Sequence, residues 1–223
     1  MSKSAKLATA ILVGALIGLP ASAMAQNAEP PTVAEDAAGS GPAPAPVPAP
    51  APAPAPAESI PSIDDVLGNL ENISPFNLVY VFQQYWDAGD KLKAAFWFYI
   101  WQLRTGPWAE LDPETAQVRA ALNQQAGMAI NGWLAADPEL MIEVAQRASG
   151  YEAKLPLWSR RPDGIAEDFW INTIAQHRAA YAAEMADTFA TTTPDQIRTL
   201  RAEAGMPVGT PADLGAPLPD DWR

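Results

Sequence analysis

The chain of 223 residues has no cysteine and only one histidine, His177. Without cysteine the protein has no disulfide, no thiol nucleophile and no cysteine-ligated zinc, so its core alone must hold the fold together. His177 is accompanied neither by a second histidine at metal-ligand spacing nor by a serine in a recognisable nucleophile turn. We therefore expect no metal, no cofactor and no catalytic residue of these classes, and we expect His177 to be a surface or structural side chain.

Basic residues are also scarce, because 14 Lys and Arg stand against 26 Asp and Glu, for a formal net charge of −12. Binding to nucleic acid or to anionic lipid requires local clusters of Lys and Arg. The largest such cluster in this chain is the pair Arg160-Arg161. The composition therefore argues against nucleic acid and against membrane surfaces as partners.

Long apolar runs are missing as well, apart from residues 7–19 near the amino terminus. These 13 residues are fewer than the roughly 20 that span a bilayer, so an uncleaved membrane anchor is the weaker interpretation. Two lysines precede the run, and a small-x-small sequence ending at Ala25 follows it. This order predicts a secretory signal peptide over residues 1–25, and hence a periplasmic or secreted bacterial protein that is not inserted in the membrane after cleavage.

Residues 26–61 consist mainly of Ala, Pro, Glu and Gly, which predicts a disordered linker. Over residues 42–57, which we call the Ala-Pro tract, eight prolines alternate with other residues. Proline fixes its own φ and favours extended conformations in the preceding residue, so the tract is expected to run as polyproline II, about 50 Å long at about 3.1 Å per residue. An inert spacer is the favoured interpretation, and a proline-rich recognition ligand is the alternative.

From residue 62 onward the sequence is typical of a single all-α domain, predicted over residues 62–204. A hydrogen-bond acceptor followed by proline is a preferred start of a helix, and the last of the four examples is also a capping box. The four pairs are Ser74-Pro75, Asp112-Pro113, Asp137-Pro138 and Thr193-Pro194. With the spacing of apolar residues, these pairs predict seven helices, at residues 62–71, 75–88, 91–104, 113–134, 138–149, 164–189 and 194–204. Strand patterns are essentially absent.

The fourth predicted helix is supported by residues, most of them apolar, that recur at intervals of three and four. These residues are Val118, Ala121, Leu122, Gln125, Ala129 and Trp133.

After the last helix, residues 205–223 contain four prolines and are predicted to form an extended carboxyl-terminal tail. The tail is expected either to remain loose or to pack on the domain through its larger apolar residues, Val208, Leu214 and Trp222.

Residues 94–101, in the third predicted helix, are apolar on every side of the helix. Such a helix is either central in the core or presents one face to something else. One face carries residues at i, i+4, i+7 and i+11, which we call the tryptophan stripe: Trp97, Trp101, Arg104 and Trp108. Large rigid rings beside an arginine are typical of binding sites, so the stripe is a candidate binding surface, which requires it to be exposed. The favoured interpretation is nevertheless a central helix that is packed on both sides, because an aromatic stripe at helical spacing is more often core than site.

Residues 80–104 contain an aromatic pair, Tyr85-Trp86, a glycine turn at Gly89 and a small residue at Ala94 or Ala95. This arrangement resembles one helical hairpin of the tetratricopeptide or Sel-type repeats. The resemblance covers a single unit of about 25 residues, whereas stacked repeats need at least about three. No second copy is found in the sequence, so a solenoid is not expected.

A second resemblance rests on Trp97-Phe98-Tyr99, on Gln102-Leu103-Arg104 and on the following residues Gly127, Ile130, Asn131 and Asp137. These residues are similar to a pattern in a group of uncharacterised exported bacterial helical proteins, in which a glycine stands where this chain has Trp101. The resemblance implies a helical fold and export, but no named activity. It adds Gln102 and Asn131 to Arg104 as candidate binding residues, although structural hydrogen bonding would account for them equally well.

The function predicted from these patterns is that of an exported, non-enzymatic interaction module of the bacterial cell envelope. Its partner is expected to be an envelope protein or the cell-wall polymer peptidoglycan, and an immunity or inhibitor role fits an acidic exported domain. The alternative is a cell-wall glycosidase of the helical, lysozyme-like kind, in which Glu110 or Glu114, close to Trp108, acts as a general acid in an open cleft.

Overall fold

The structure is a computed structural model that describes residues 60–156 and 161–222. The predicted signal peptide, residues 1–25, lies outside the described residues, as does the linker up to residue 59 with its Ala-Pro tract. The Arg160 half of the basic pair also lies outside them.

The described part of the chain contains seven α-helices and no strand, which confirms the predicted all-α class. A short 3-10 helix, Pro75–Asn77, precedes the second α-helix. The helices are α1 (Ile63–Leu67), α2 (Leu78–Asp87), α3 (Lys91–Leu111), α4 (Pro113–Leu134), α5 (Pro138–Glu152), α6 (Glu167–Thr191) and α7 (Pro194–Glu203). None of these helices combines the length and the apolarity that crossing a bilayer requires.

The predicted helix starts are confirmed by the side-chain caps. Asp112 accepts from the backbone N–H of Thr115 at 2.8 Å, and Asp137 accepts from that of Leu140 at 3.1 Å. At the start of α7 the capping box is complete, because the side chain of Thr193 bonds the backbone of Gln196 and the reverse bond is present as well. Each cap satisfies an N–H that the first turn of a helix leaves without a partner.

α3 runs seven residues beyond its predicted end at residue 104 and passes through Gly106 and Pro107 without breaking. Proline inside a helix removes one backbone hydrogen bond, here the bond that residue 107 would donate to the carbonyl of Leu103. The two carbonyls before it accept side-chain donors: Arg119 of α4 donates to the carbonyl of Gln102 at 3.0 Å, and Thr105 donates through its hydroxyl to the carbonyl of Trp101 at 2.7 Å. The helix therefore continues past Pro107, where the local sequence alone predicts a break.

α3 lies at the centre of the described domain, because α2, α4, α5 and α6 all pack against it. Every residue of α3 from 94 to 107 is buried. Its neighbours contribute apolar residues to the same cluster, among them Phe82 of α2, Ile130 of α4 and Met141 of α5. α3 is therefore a central core helix.

The inward face of α4 is formed by Gly127, Ile130, Asn131 and Leu134. A Cβ at Gly127 would lie 3.4 Å from the ring of Phe98, which is an ordinary van der Waals distance. Among the recurring residues that support this helix, Leu122 and Trp133 pack partly buried against the core, whereas Val118, Ala121, Gln125 and Ala129 are exposed. The recurrence thus predicts the helix but not its full inward face, because a glycine and an asparagine carry no apolar periodicity.

The carboxyl-terminal tail is packed on the domain, and we call residues 205–222 the C-terminal strap. Leu214 accepts from the backbone of Leu92 at 3.1 Å, and the ring of Trp222 stacks on that of Phe96 with centroids 5.0 Å apart. Packing through Trp222 is thus confirmed, while Leu214 is bonded to the domain through its backbone carbonyl. The expectation for Val208 is wrong, because its side chain is 44% exposed, although both of its neighbours are bonded: Pro207 accepts from Arg201, and Gly209 donates to the carbonyl of Ala136.

Candidate functional site

The exposure that a binding stripe requires is not found at Trp97 and Trp101, which are 1% and 0% exposed, and Arg104 is buried as well at 1%. Trp97 is covered by Trp222 of the strap at 5.4 Å between ring centroids. Trp101 stacks on Phe98 at 5.8 Å. Because helices and the strap enclose α3, these side chains form part of the core and are not accessible to a partner.

The last member of the stripe, Trp108, remains on α3 because the helix continues through Pro107. Its ring is half-buried and meets Trp170 of α6 edge to face, with centroids 5.6 Å apart. Trp108 therefore packs the end of α3 against α6 and is not part of an exposed aromatic surface.

Arg104 is held by a buried carboxylate, Glu152 at the end of α5, with Nε 3.3 Å from Oε1. Arg178 of α6 reaches the same carboxylate at 2.7 Å, and Arg104 also donates to the carbonyl of Pro156 at 3.0 Å. Burial lowers the pKa of Arg104 to about 10, and the charge of Glu152 opposes that shift. Arg104 stays charged at neutral pH and joins α3, α5 and α6.

Gln102 and Asn131 also serve the contact between helices. The amide of Gln102 donates to Asn123 of α4 at 2.6 Å, and the hydroxyl of Tyr99 donates to Asn131 at 3.0 Å. Burial, together with the nearby phenol of Tyr181, raises the pKa of Tyr99, so the hydroxyl keeps the proton that it donates. Of the predicted binding residues, Gln102, Arg104 and Asn131 thus have structural hydrogen-bond partners, as buried polar groups require.

The two candidate general acids, Glu110 and Glu114, line neither of the two depressions that are described in the next paragraphs. The carboxylate of Glu110 is half-exposed and lies 2.6 Å from Nδ1 of His177 on α6. Glu114 is exposed in the first turn of α4, where an acidic side chain favours the helix dipole. His177 itself packs against Gly106, where a Cβ would lie 2.0 Å from its Nε2. Among the described residues no cluster of His, Asp and Glu is arranged to hold a metal ion.

A groove that sequence analysis did not predict lies between α2 and α4, and we call it the α2–α4 groove. It encloses about 380 Å³. One wall is formed by residues of α2, namely Val79, Phe82, Gln83, Trp86 and Asp87. The other wall is formed by residues of α4, namely Leu122, Gln125, Ala126, Ala129 and Ile130. The floor is buried and apolar, since Phe82 and Ile130 belong to the core, whereas the rim is exposed at Gln83, Gln125 and Ala129.

An aromatic pair stands at one end of this groove. The ring of Trp86 meets that of Trp133, one turn beyond Ala129 on α4, with centroids 5.9 Å apart. The ammonium of Lys91 lies 5.3 Å from the Trp86 ring and 5.8 Å from the Trp133 ring, in cation–π geometry. These contacts fix the orientation of Trp86, so the wall it forms is largely pre-formed.

A second depression, of about 510 Å³, lies where α6 passes into α7. Six of its seven lining residues carry polar groups, among them the carboxylates Asp195 and Glu203, and Leu200 is its one large apolar residue. Asp195 is already paired with Arg198 at 2.7 Å. In contrast to the α2–α4 groove, this depression has no aromatic ring in its lining.

The face of α2 that lines the groove is visible in the sequence, since Val79, Phe82, Gln83 and Trp86 recur at i, i+3, i+4 and i+7. The pattern does not reveal that the neighbouring helix covers this face only in part. Comparison of the chain with protein-family models, with curated proteins and with solved structures finds no match. The site must therefore be judged from its own geometry.

Proposed function

We propose that the protein is an exported, non-enzymatic binding module of the bacterial cell envelope, and that it takes an apolar segment of a protein partner into the α2–α4 groove. The observation that carries this proposal is a groove of about 380 Å³ with a buried apolar floor and a pre-formed aromatic wall. Binding sites for small or extended ligands typically enclose about 300–1,000 Å³ and are lined mainly by apolar and aromatic side chains with a few polar groups.

The charge of the groove favours a neutral, apolar segment. Asp87 carries the one carboxylate of the lining, and the lining contains no cation. Lys91 stands at the end of the groove, engaged with two indole rings. Neither a strongly acidic nor a strongly basic segment would find matching charges along the walls, whereas apolar side chains would remove Trp86 and Leu122 from water.

A protein segment fits the lining better than the sugar chain of peptidoglycan. Half of the lining residues are aliphatic, as at Val79, Leu122 and Ala129, and two more are aromatic. Saccharides require many polar partners for their hydroxyl groups, and here Gln83 and Gln125 are the two carboxamides available on the walls. An immunity or inhibitor role is one use to which such a groove could be put, with an envelope protein as the target.

The test is a comparison of two lysine substitutions on α4. Ala129→Lys places a long charged side chain over the groove, while Ala120→Lys is a matched control, since Ala120 is exposed on the opposite side of the same helix. Each variant with its complete linker, residues 26–223, is immobilised and exposed to envelope extract, and the proteins captured are compared by mass spectrometry.

The proposal expects a protein that is captured by wild type and by Ala120→Lys and lost with Ala129→Lys. Thermal unfolding of both variants shows that each is folded. Capture that is the same for the two variants would contradict the proposal. Sedimentation of the protein with purified peptidoglycan, equally in both variants, would also contradict it.

A further inference from the structure

We infer that the C-terminal strap controls the affinity of the α2–α4 groove, because strap residues 212–216 hold the aromatic pair that stands at one end of it. The inference rests on the proposed function of the groove as a binding site for an apolar segment. It assigns this site a means of regulation, in which a ligand in the groove and the attached strap stabilise each other.

The strap makes two contacts with the aromatic pair of the groove. The indole Nε1–H of Trp133 donates to the carbonyl of Ala212 at 3.0 Å. The ammonium of Lys91, which lies over both rings of the pair, is 3.9 Å from the carboxylate of Asp213. Because Trp86 forms part of the groove wall, the strap is connected to that wall through one neighbouring ring and one cation.

The same part of the strap supplies a cap for α3. The residue before this helix, Asp90, makes no side-chain bond to its first turn. Instead, the backbone N–H of Leu92 donates to the carbonyl of Leu214 at 3.1 Å. The carboxylate of Asp90 accepts from the backbone N–H of Ala216 at 3.0 Å. The strap thus satisfies an N–H that the helix start leaves without a partner, and it is anchored directly beside Lys91.

The backbone of the strap is shaped for this close contact. Gly215 has a φ of 76°, and a Cβ at this position would lie 2.5 Å from the Cα of Asp90, so the approach requires glycine. Asp213 also has a positive φ, of 56°, which is uncommon for residues other than glycine. These two left-handed residues direct the strap onto the turn between α2 and α3.

The strap can open while the helices stay folded, because it contains no helix or strand of its own. Extended segments that are held by a few hydrogen bonds open at a lower free energy than packed helices. Opening removes the acceptor of Trp133 and the carboxylate beside Lys91, and with them contacts that orient the Trp86 wall. Closure of the strap therefore favours binding in the groove, and by linkage binding favours closure by the same factor.

The first experiment compares two glycine substitutions in the strap. Gly215→Ala introduces the clash with Asp90. Gly205→Ala is the matched control, because Gly205 has a similar φ of 68° and its Cβ would meet nothing within 4 Å. The probe is the uncharged fluorescent dye N-phenylnaphthylamine, and its dissociation constant is measured by titration of the protein with its complete linker. We expect Gly215→Ala to raise this constant about fivefold, the factor that one average hydrogen bond supplies, and Gly205→Ala to leave it unchanged.

A second substitution locates the connection between strap and groove. Trp133→Phe keeps an aromatic ring beside Trp86 but removes the N–H that donates to Ala212. We expect it to weaken binding of the dye as well. In the Trp133→Phe background, Gly215→Ala should have no further effect, because both changes break the same contact. Additive effects of the two substitutions would overturn the inference.

Hydrogen exchange followed by NMR tests the reverse direction. The amide of Leu92 reports on strap attachment, because its acceptor is Leu214 of the strap. Saturation with the dye should slow exchange of this amide by the same factor of about five. The amide of Thr115, in the first turn of α4, bonds the side chain of Asp112 and should be unaffected. Exchange at Leu92 that does not respond to the dye would overturn the inference.

Failure of this inference can be told apart from failure of the proposed function. A dye that does not bind the wild type, or that binds Ala129→Lys as tightly as Ala120→Lys, does not lie in the groove. That result would overturn the groove as an apolar binding site together with the role of the strap. A dye that is excluded by Ala129→Lys but binds Gly215→Ala and Gly205→Ala equally would overturn the role of the strap alone.

Discussion

At the scale of single residues, Arg104 and Glu152 form a buried ion pair at the junction of three helices. Their side chains are 1% and 2% exposed. A buried ion pair need not stabilise a protein relative to apolar residues, but removing one partner leaves a buried charge without compensation. The pair is therefore best understood as a device that specifies how α3, α5 and α6 meet.

Replacing this carboxylate should be strongly destabilising. Glu152→Gln would leave the charge of Arg104 buried without its carboxylate, and we expect a loss of about 3–5 kcal/mol in the free energy of unfolding. Urea denaturation measures the loss. Glu143→Gln, at an exposed position of the same helix, should change stability by less than about 0.5 kcal/mol. Equal effects of the two substitutions would show that the carboxylate of Glu152 has no special role.

A pair of glycines offers a second test at this scale. A Cβ at Gly106 would lie 2.0 Å from Nε2 of His177, whereas a Cβ at Gly132 would meet nothing within 4 Å. We expect Gly106→Ala to destabilise by about 1–3 kcal/mol and Gly132→Ala to be neutral or stabilising by up to about 1 kcal/mol, since alanine favours helices. Thermal unfolding distinguishes them. If both substitutions stabilise, the packing of His177 on α3 is not as described.

At the scale of elements, the sequence predicts helix starts better than it predicts the end of α3. The bounds of α4 agree with the prediction, and its start depends on Asp112 and Pro113, which are local signals that need no partner. The predicted end of α3 at residue 104 was wrong, because Gly106 and Pro107 indicate a break locally while the helix that contains them is enclosed by α2, α4, α5 and α6. The inward face of α4 could not be read from periodicity alone, because it includes Gly127 and Asn131.

The C-terminal strap is an element for which the sequence allowed two outcomes, a loose tail or a tail packed on the domain. Its contribution to stability can be tested directly. Arg147 of α5 donates to the carbonyls of Leu218, Pro219 and Trp222, which holds the strap over the aromatic cluster. We expect Trp222→Ala to destabilise the domain by about 2 kcal/mol, less than the 3–5 kcal/mol of a fully buried aromatic residue because Trp222 is half-buried.

Val208→Ala in the same strap is the control for this prediction. Val208 is exposed, so its truncation should have an effect within about 0.5 kcal/mol. Chemical denaturation followed by circular dichroism compares the two variants. A strap that does not stabilise the domain would give two small and similar values.

At the scale of the whole molecule, a high local content of aromatic residues does not by itself show where a binding surface lies. The aromatic residues of α3 made it a candidate binding surface, but Trp97 and Trp101 are buried in the core. The aromatic residue that lines the proposed binding groove is Trp86, on the neighbouring helix, where α4 covers α2 only in part. Sequence periodicity identifies apolar faces, but it does not say which of them the other elements leave uncovered.

The central claim, that the α2–α4 groove is the partner-binding surface, is tested most directly by site-specific photo-crosslinking in cells. A photoreactive amino acid is placed at Gln125 on the groove rim in one variant and at Ala120, on the far side of α4, in another. The account predicts that the Gln125 variant forms a covalent adduct with another protein and that the Ala120 variant does not. An equal yield at both positions, or no protein adduct at Gln125, would contradict the account.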